Sequence, residues 1–406
     1  MPGVLDADTH IAESEAMWSF IEKEMYPRRP VLATIPEDTW YKERNAFWLI
    51  DGEIFPKPAG KASFSLITPS AQKKESGRGD IHLAVRELTD PMARLSDMDK
   101  LGVDAQVIYP TLFLVYLTDD AKLETALCRA YNRFIAEACG KATDRLKWVA
   151  IPPLRDVDAA CAEIEWAKEH GAVGVFFRGM EGNLTLDNPY FSPVYALAEK
   201  LDLTICIHTG SGSRYLMQPF DVERNHTFAH NRVLPVIAFR DLVANRIPEQ
   251  FPKLRFGFIE AAASWVPYIF HVLRRSVRSD LKNNNPQDLF RDYRFWVACE
   301  ADEELPHLLN YIGEDHTSSA PTMVTMIRRR NRSSSETCAA AKTCRLMSLK
   351  RSCAKMLGSF TASRELFLPC IDGPVICHPT VNLRSIHLHA LPSAREETAC
   401  LAYAMP

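Results

Sequence analysis

The stretch Leu203–Gly210, LTICIHTG, runs almost without interruption through apolar and β-branched residues and then stops at a histidine, a threonine and a glycine. A short apolar run of this kind suits a strand covered on both faces, with polar groups only where it emerges. The same pattern recurs on either side. Upstream stand AVGVFFRG (172–179), LKWVAIP (146–152) and DAQVIYP (104–110), and downstream LRFGFIEA (254–261) and RFWVACEA (294–301). Between them AKLETALCRAYNRFIAEACGKA, AACAEIEWAKEHG, SPVYALAEKL and ASWVPYIFHVLRRSV return their apolar residues at helical spacing. Strand and helix in alternation predict repeated βα units around a parallel sheet.

VLDADTH at residues 4–10 adds a seventh such strand. A closed parallel barrel has eight. The pattern therefore predicts a TIM-like (β/α)8 barrel over residues 1–316, with its eighth strand lost after residue 316. Residues 36–90 break the period. WYKERNAFWLIDGEIFPKP reads as a small hairpin and AQKKESGRGD as a solvated loop, an insertion placed to cover the mouth of the barrel.

The composition fits an enzyme-sized globular chain: 406 residues, 47% apolar and 24% charged, with a net charge of -3. This balance gives no reason to expect a nucleic acid or an acidic membrane surface as partner. The start, MPGVLDADTHIAESEAMW, lacks a basic region followed by an apolar one, and no apolar window is long enough to span a bilayer. A cytoplasmic location is the expectation. Eleven cysteines are present without C-x-x-C pairs, and six of them (Cys338, Cys344, Cys353, Cys370, Cys377, Cys400) crowd the last part of the chain. The tail differs in composition from the body.

In a parallel barrel the reacting groups sit where strands end. Those ends carry Asp8 and His10, Tyr109, Pro152, Arg178, His208, Glu260 and Glu300. Alternation puts Asp8 and His10 on one side of the first strand, where both reach a single cation. The plainer reading makes Asp8 or Asp6 a turn cap and His10 and His208 satisfied structural groups. Together Asp8, His10 and His208 form a set suited to zinc, manganese or iron.

DADTHIAE, ARLSDMDKLGVDAQVIYP, ICIHTGSG and FPKLRFGFIEAAASWVPY, in that order, resemble the amidohydrolase-related metal-dependent hydrolases, the family that includes aminocarboxymuconate semialdehyde decarboxylase and γ-resorcylate decarboxylase. The resemblance covers residues 4 to 316. It implies a distorted TIM barrel with one divalent metal, zinc being expected and manganese or iron the alternatives, held by Asp8, His10 and His208. It also implies a small carboxylate substrate, aromatic or enoate, consumed by hydrolysis or nonoxidative decarboxylation. Such an ion lowers the pKa of a bound water from about 15.7 to near 7 and polarises a carbonyl or phenolic oxygen. Homo-oligomers are common in the family, which leaves a homodimer open.

Where relatives carry a histidine after strand six this chain has Glu260. Glu260 reads as general acid or base, or as an added ligand supporting a dinuclear oxygenase; its plainer role is a carboxylate at the start of the helix near Ser264. Arg178 is a candidate for a substrate carboxylate or a structural ion pair. His226 and His230 in RNHTFAHNR face the pocket or solvent, and Glu300 is a polar wall or a structural partner.

The resemblance also demands an Asp after strand eight, in a stretch like S/T-D-Y, yet the chain there reads SAPTMVTMIRRRNRSSSE (319–336). Reading the last base of each codon with the first two of the next forces Gly at Met323/Val324 and Asp at Met326/Ile327. From Ala320 the shifted frame permits T-D-Y-G-H-H-D-T. Across Ala354–Ala362 it permits E-N-A-R-x-L-Y-G, like the family's last helix. Residues 317–406 are thus expected to be an out-of-frame, poorly ordered tail, and a catalytically impaired product of a damaged gene is the alternative to an active enzyme. Resequencing the gene should show TDYGHHDT in the shifted frame; a DNA sequence without those codons refutes the frameshift.

Overall fold

Every strand read from the sequence pairs in parallel with its successor, in one eight-stranded sheet. The computed structural model describes residues 4–36, 38, 46–55, 82–217, 233–281, 284–300 and 302–319. The strands are β1 Leu5–His10, β2 Ala105–Tyr109, β3 Leu146–Ala150, β4 Ala172–Phe177, β5 Thr204–His208, β6 Arg255–Ile259, β7 Phe295–Cys299 and β8 Thr317–Ser319. In a flat sheet β1 and β5 would stand about 19 Å apart, since neighbouring strands are about 4.8 Å apart. Yet Asp8 at the end of β1 lies 3.3 Å from His208 at the end of β5. The sheet is therefore rolled into a barrel, although no ladder joins β8 to β1 among the described residues.

The expected loss of the eighth strand is corrected here. Thr317, Ser318 and Ser319 pair with Val297, Ala298 and Cys299. The turn before them is tied to β7, because His316 Nδ1 meets the Phe295 carbonyl at 2.8 Å and Trp296 Nε1 donates to the Asp315 carbonyl at 3.1 Å. Thr317 Oγ1 donates to the Gly313 carbonyl at 2.8 Å, so the chain is led into the ladder before its composition changes. Residues from 320 onward lie outside the described ones, and with them almost all of the expected tail.

Helices alternate with the strands and start where aspartates supply caps. Asp90 accepts from Ala93 N ahead of α1 (Pro91–Leu101), Asp120 from Lys122 N and Leu123 N ahead of α2 (Ala121–Gly140), and Asp156 from Ala159 N ahead of α3 (Val157–Glu169). Their apolar faces pack on the outside of the sheet through Leu123, Leu127, Tyr131, Ile135 and Ile164, all buried. Of the insertion, the structure shows the hairpin Ala46–Ile50 and Glu53–Phe55, which Val31–Thr34, just ahead of residue 36, extends to a three-stranded antiparallel sheet. Asp51 (φ 52°) and Gly52 (φ 80°) make its turn, both with the positive φ a two-residue type I′ hairpin requires. The inner face is apolar, with Trp48 edge-on to Trp18 at 5.9 Å. The expected loop AQKKESGRGD falls outside the described residues.

Candidate metal centre

His208 ends β5 fully buried, and its ring lies 4.9 Å from that of His10, nearly perpendicular to it. Each imidazole is anchored through Nδ1 to a backbone carbonyl: His10 to Pro110 at 2.7 Å and His208 to Thr209 at 2.8 Å. A carbonyl can only accept, so each Nδ1 carries the proton and each Nε2 presents a lone pair. Both lone pairs converge on one oxygen. Asp8 Oδ1 is 3.4 Å from His10 Nε2 and 3.3 Å from His208 Nε2.

Three such atoms repel unless a proton on an imidazole Nε2 or a cation sits among them. Ligands about 2.0–2.1 Å from a tetrahedral ion stand roughly 3.3 Å from one another, which matches this spacing. The ligand atoms of Asp8, His10 and His208 all lie within 4.8 Å of one another, and the residues therefore fit a single divalent metal. Burial works to raise the Asp8 pKa, but hydrogen bonds with His10 and His208 outweigh it and hold the carboxyl well below the usual carboxylate range. For His10, burial lowers the pKa while the Asp8 carboxylate, prevailing, raises it. Tyr109 and Phe176 wall the His208 ring at 5.2 and 6.1 Å.

Glu260 follows β6 and reaches the same place. Its Oε2 is 3.5 Å from His208 Nε2 and accepts from Thr209 Oγ1 at 3.0 Å. Its backbone is left-handed (φ 52°), as is that of Ala262 (φ 54°), a conformation that costs a non-glycine residue roughly 1–2 kcal/mol. Trp265 Nε1 holds this turn through the carbonyls of Ala261 and Ala262, at 3.0 and 2.9 Å. The helix-start role weighed for Glu260 belongs instead to Glu303. That carboxylate accepts from the amides of Ala263 and Ser264 and from Ser264 Oγ, ahead of the helix Val266–Val272. Nothing in the sequence near Glu260 signals this, since Glu303 arrives from the next βα loop.

The other expected residues are placed as follows. Arg178, just past β4, pairs with Glu181 (Nε–Oε2 3.0 Å) and donates to the Val115 carbonyl at 3.0 Å, so its guanidinium is engaged by the protein itself. Glu300 sits just past β7, where its amide donates to Glu303 at 2.8 Å. His226 and His230 lie outside the described residues. Sequence reasoning missed Thr209 and Glu13. Glu13 is buried and accepts from the amides of Thr111 and Leu112, both at 2.8 Å, which fixes the loop after β2 behind His10. The HTGSG loop closes over the rim because Gly210 lacks a side chain; a Cβ there would lie 2.5 Å from the Leu114 carbonyl.

Comparison with known proteins matches an amidohydrolase family model to residues 8–301, most of the chain. The chain belongs to the amidohydrolase family. This amidohydrolase is 27% identical over 189 residues to γ-resorcylate decarboxylase of Rhodococcus jostii (strain RHA1), a match covering 43% of this chain and 56% of the relative. It is 31% identical over 122 residues to γ-resorcylate decarboxylase of Rhizobium radiobacter, covering 28% of this chain and 37% of that one. The matches thus span about half or less of these relatives' length. In fold it is similar to an amidohydrolase of Mycobacterium avium subsp. paratuberculosis K-10, with TM-score 0.66 at 17% identity, covering 88% of this chain and 99% of that one. It is also similar to manganese-bound 5-carboxyvanillate decarboxylase of Novosphingobium aromaticivorans, with TM-score 0.59 at 16% identity, covering 87% and 96%.

Two outcomes follow for the amidohydrolase. Replacing Asp8 or His208 by Ala should lower Mn²⁺ or Zn²⁺ affinity by at least about tenfold, read by titration and by metal content after gel filtration; unchanged retention would exclude them as ligands. Burial pushes Glu13 up to about 7, from an ordinary value of 4.5. The folded state then binds more protons than the unfolded one between those values, so stability should fall as pH rises from 4.5 to 7. Urea unfolding of Glu13→Gln at both ends of that window should show a shallower slope than wild type.

Proposed function

We propose that this chain is a metal-dependent nonoxidative decarboxylase of small aromatic carboxylates that carry a hydroxyl beside the carboxyl group. The observation that supports it most is the convergence of Asp8 Oδ1, His10 Nε2 and His208 Nε2 in a spacing that suits one divalent ion. The names of its relatives supply the substrate class: γ-resorcylate decarboxylases by sequence, and by fold a 2,6-dihydroxybenzoate decarboxylase complexed with 2,6-dihydroxybenzoate. Zinc fits the imidazole donors, and manganese is the metal named for the Novosphingobium relative and for a dihydroxybenzoic acid decarboxylase of Polaromonas sp. JS666. When bound, the ion would supply the positive charge that orients the substrate's carboxylate and neighbouring hydroxyl.

The remaining chemistry is a proton exchanged for carbon dioxide, and the proposal assigns it to Glu260, 3.5 Å from His208. Its carboxyl gives a proton to the ring carbon that bears the carboxylate. The bond to the carboxyl group then breaks, its electron pair restores the aromatic ring, and carbon dioxide leaves. With 36% of its side chain exposed, Glu260 regains a proton from solvent. Tyr109 and Phe176 provide flat apolar walls beside His208 that suit an aromatic ring. A second reading, hydrolysis with Glu260 as base, draws on the Thr209 hydroxyl, which donates to Oε2 and holds the carboxylate beside His208.

The test is to load the chain with Mn²⁺ or Zn²⁺ and offer 2,6-dihydroxybenzoate, 5-carboxyvanillate and, for the second reading, aryl esters and lactones. Release of carbon dioxide from an aromatic acid is expected. Glu260→Gln should keep the metal and lower kcat by roughly 10²–10⁴. A fully metallated chain that leaves every aromatic acid intact, or a Glu260→Gln variant as fast as wild type, sinks the decarboxylase mechanism.

A further inference from the structure

The pairing of β1 with β2 slips once, next to the metal ligands. Leu5 and Asp6 oppose Ala105 and Gln106, whereas Thr9 and His10 oppose Ile108 and Tyr109. Ala7 and Asp8 therefore share Val107, which makes a β-bulge. Side chains alternate along a regular strand, so without the bulge Asp6, Asp8 and His10 would all share one face. With it, Asp6 turns to the outer layer while Asp8 and His10 turn inward to His208.

The outer layer holds that arrangement through a chain of hydrogen bonds with a fixed polarity. Asp6 Oδ1 accepts the Asp8 amide at 3.3 Å, an amide the bulge takes out of the ladder. Asp6 Oδ2 accepts from Gln106 Nε2 at 3.1 Å, and Gln106 Oε1 accepts from Arg94 Nε at 2.9 Å. Arg94, buried in α1, also donates to Thr9 Oγ1 at 2.7 Å, to the His10 carbonyl at 3.4 Å and to the Val85 carbonyl at 3.0 Å. Arg94 can only donate and both Asp6 oxygens accept here, so Gln106, which does both, is the link that fits between them.

We propose that Asp6, Gln106 and Arg94 are positioning residues that pin the β1 bulge and thereby aim Asp8 at His208. The proposal rests on the reading of Asp8 as a metal ligand. Its polarity supplies a rescue. Asp6→Asn sets an amide donor against Gln106 or the Asp8 amide, and Gln106→Glu sets a carboxylate against Asp6. The double variant Asp6→Asn/Gln106→Glu restores every link with net charge unchanged. Its side-chain amide at position 6 accepts from the Asp8 amide and donates to the new carboxylate at position 106, which in turn accepts from Arg94.

Mn²⁺ titration of the full chain should show each single variant weakened by about tenfold or more and the double variant within about threefold of wild type. Thermal melting of the metal-free proteins separates aim from general stability. Singles that bind as wild type overturn the proposal, as does a double variant that regains the wild-type melting temperature without regaining Mn²⁺ affinity. If wild type itself takes up no Mn²⁺, the metal reading falls, and crystal structures of wild type and Asp6→Asn judge the positioning chain. An Asp8 still facing His208 in Asp6→Asn overturns it, and an Asp8 turned away beside an unmoved His208 supports it.

Discussion

Two imidazole lone pairs and a carboxylate oxygen are held together at the C-terminal rim of the barrel, and the placement of nearly everything around them follows from that repulsion. The backbone carbonyls of Pro110 and Thr209 fix which nitrogen of each ring faces inward. Burial removes the water that would otherwise solvate Asp8 and His208. In so dry a setting a buried carboxylate needs compensating positive charge, which an imidazole proton or a bound cation can supply. The barrel supplies the rigidity for this, since β1 and β5 are locked by ladders on both sides except where β1 forms the open edge.

The strands were legible because a strand buried on both faces must be apolar throughout and can turn polar only at its end. LTICIHTG and LRFGFIEA show this directly: the structure closes β5 at His208 and β6 at Ile259, with Thr209 and Glu260 just beyond. The convergence of Asp8, His10 and His208 was legible for the same reason. What stayed hidden depends on partners far along the chain. Alternation alone gives Asp6 and Asp8 the same face, and only the register against β2 separates them. Glu303 takes the helix start weighed for Glu260. For Arg178 both an anion-binding role and a structural ion pair were open, and only the turn of the loop after β4 shows that Glu181, three positions on, is its partner. The start of β8 was hidden by its shortness: Thr-Ser-Ser has no apolar run, and its ladder with β7 decides it.

Glu260 is held in place from two sides. The left-handed turn after β6 is braced by Trp265 from the following helix. Thr209 braces the side chain from the next strand over. A carboxylate so held lies 3.5 Å from His208 Nε2, yet keeps contact with solvent.

The hairpin Ala46–Phe55 has a consequence for the stability of the barrel. Trp48, Ile50 and Phe55 are buried in the same apolar cluster as β1 and β2. Uncovering any one of them would cost roughly 1.5–3 kcal/mol. Arg28 further clasps its turn at Asp51 to Asp120 at the start of α2. A segment bound this way does not swing. Its three buried side chains make it a buttress of the core, so the stability of this half of the barrel depends on a segment that lies outside the βα repeat.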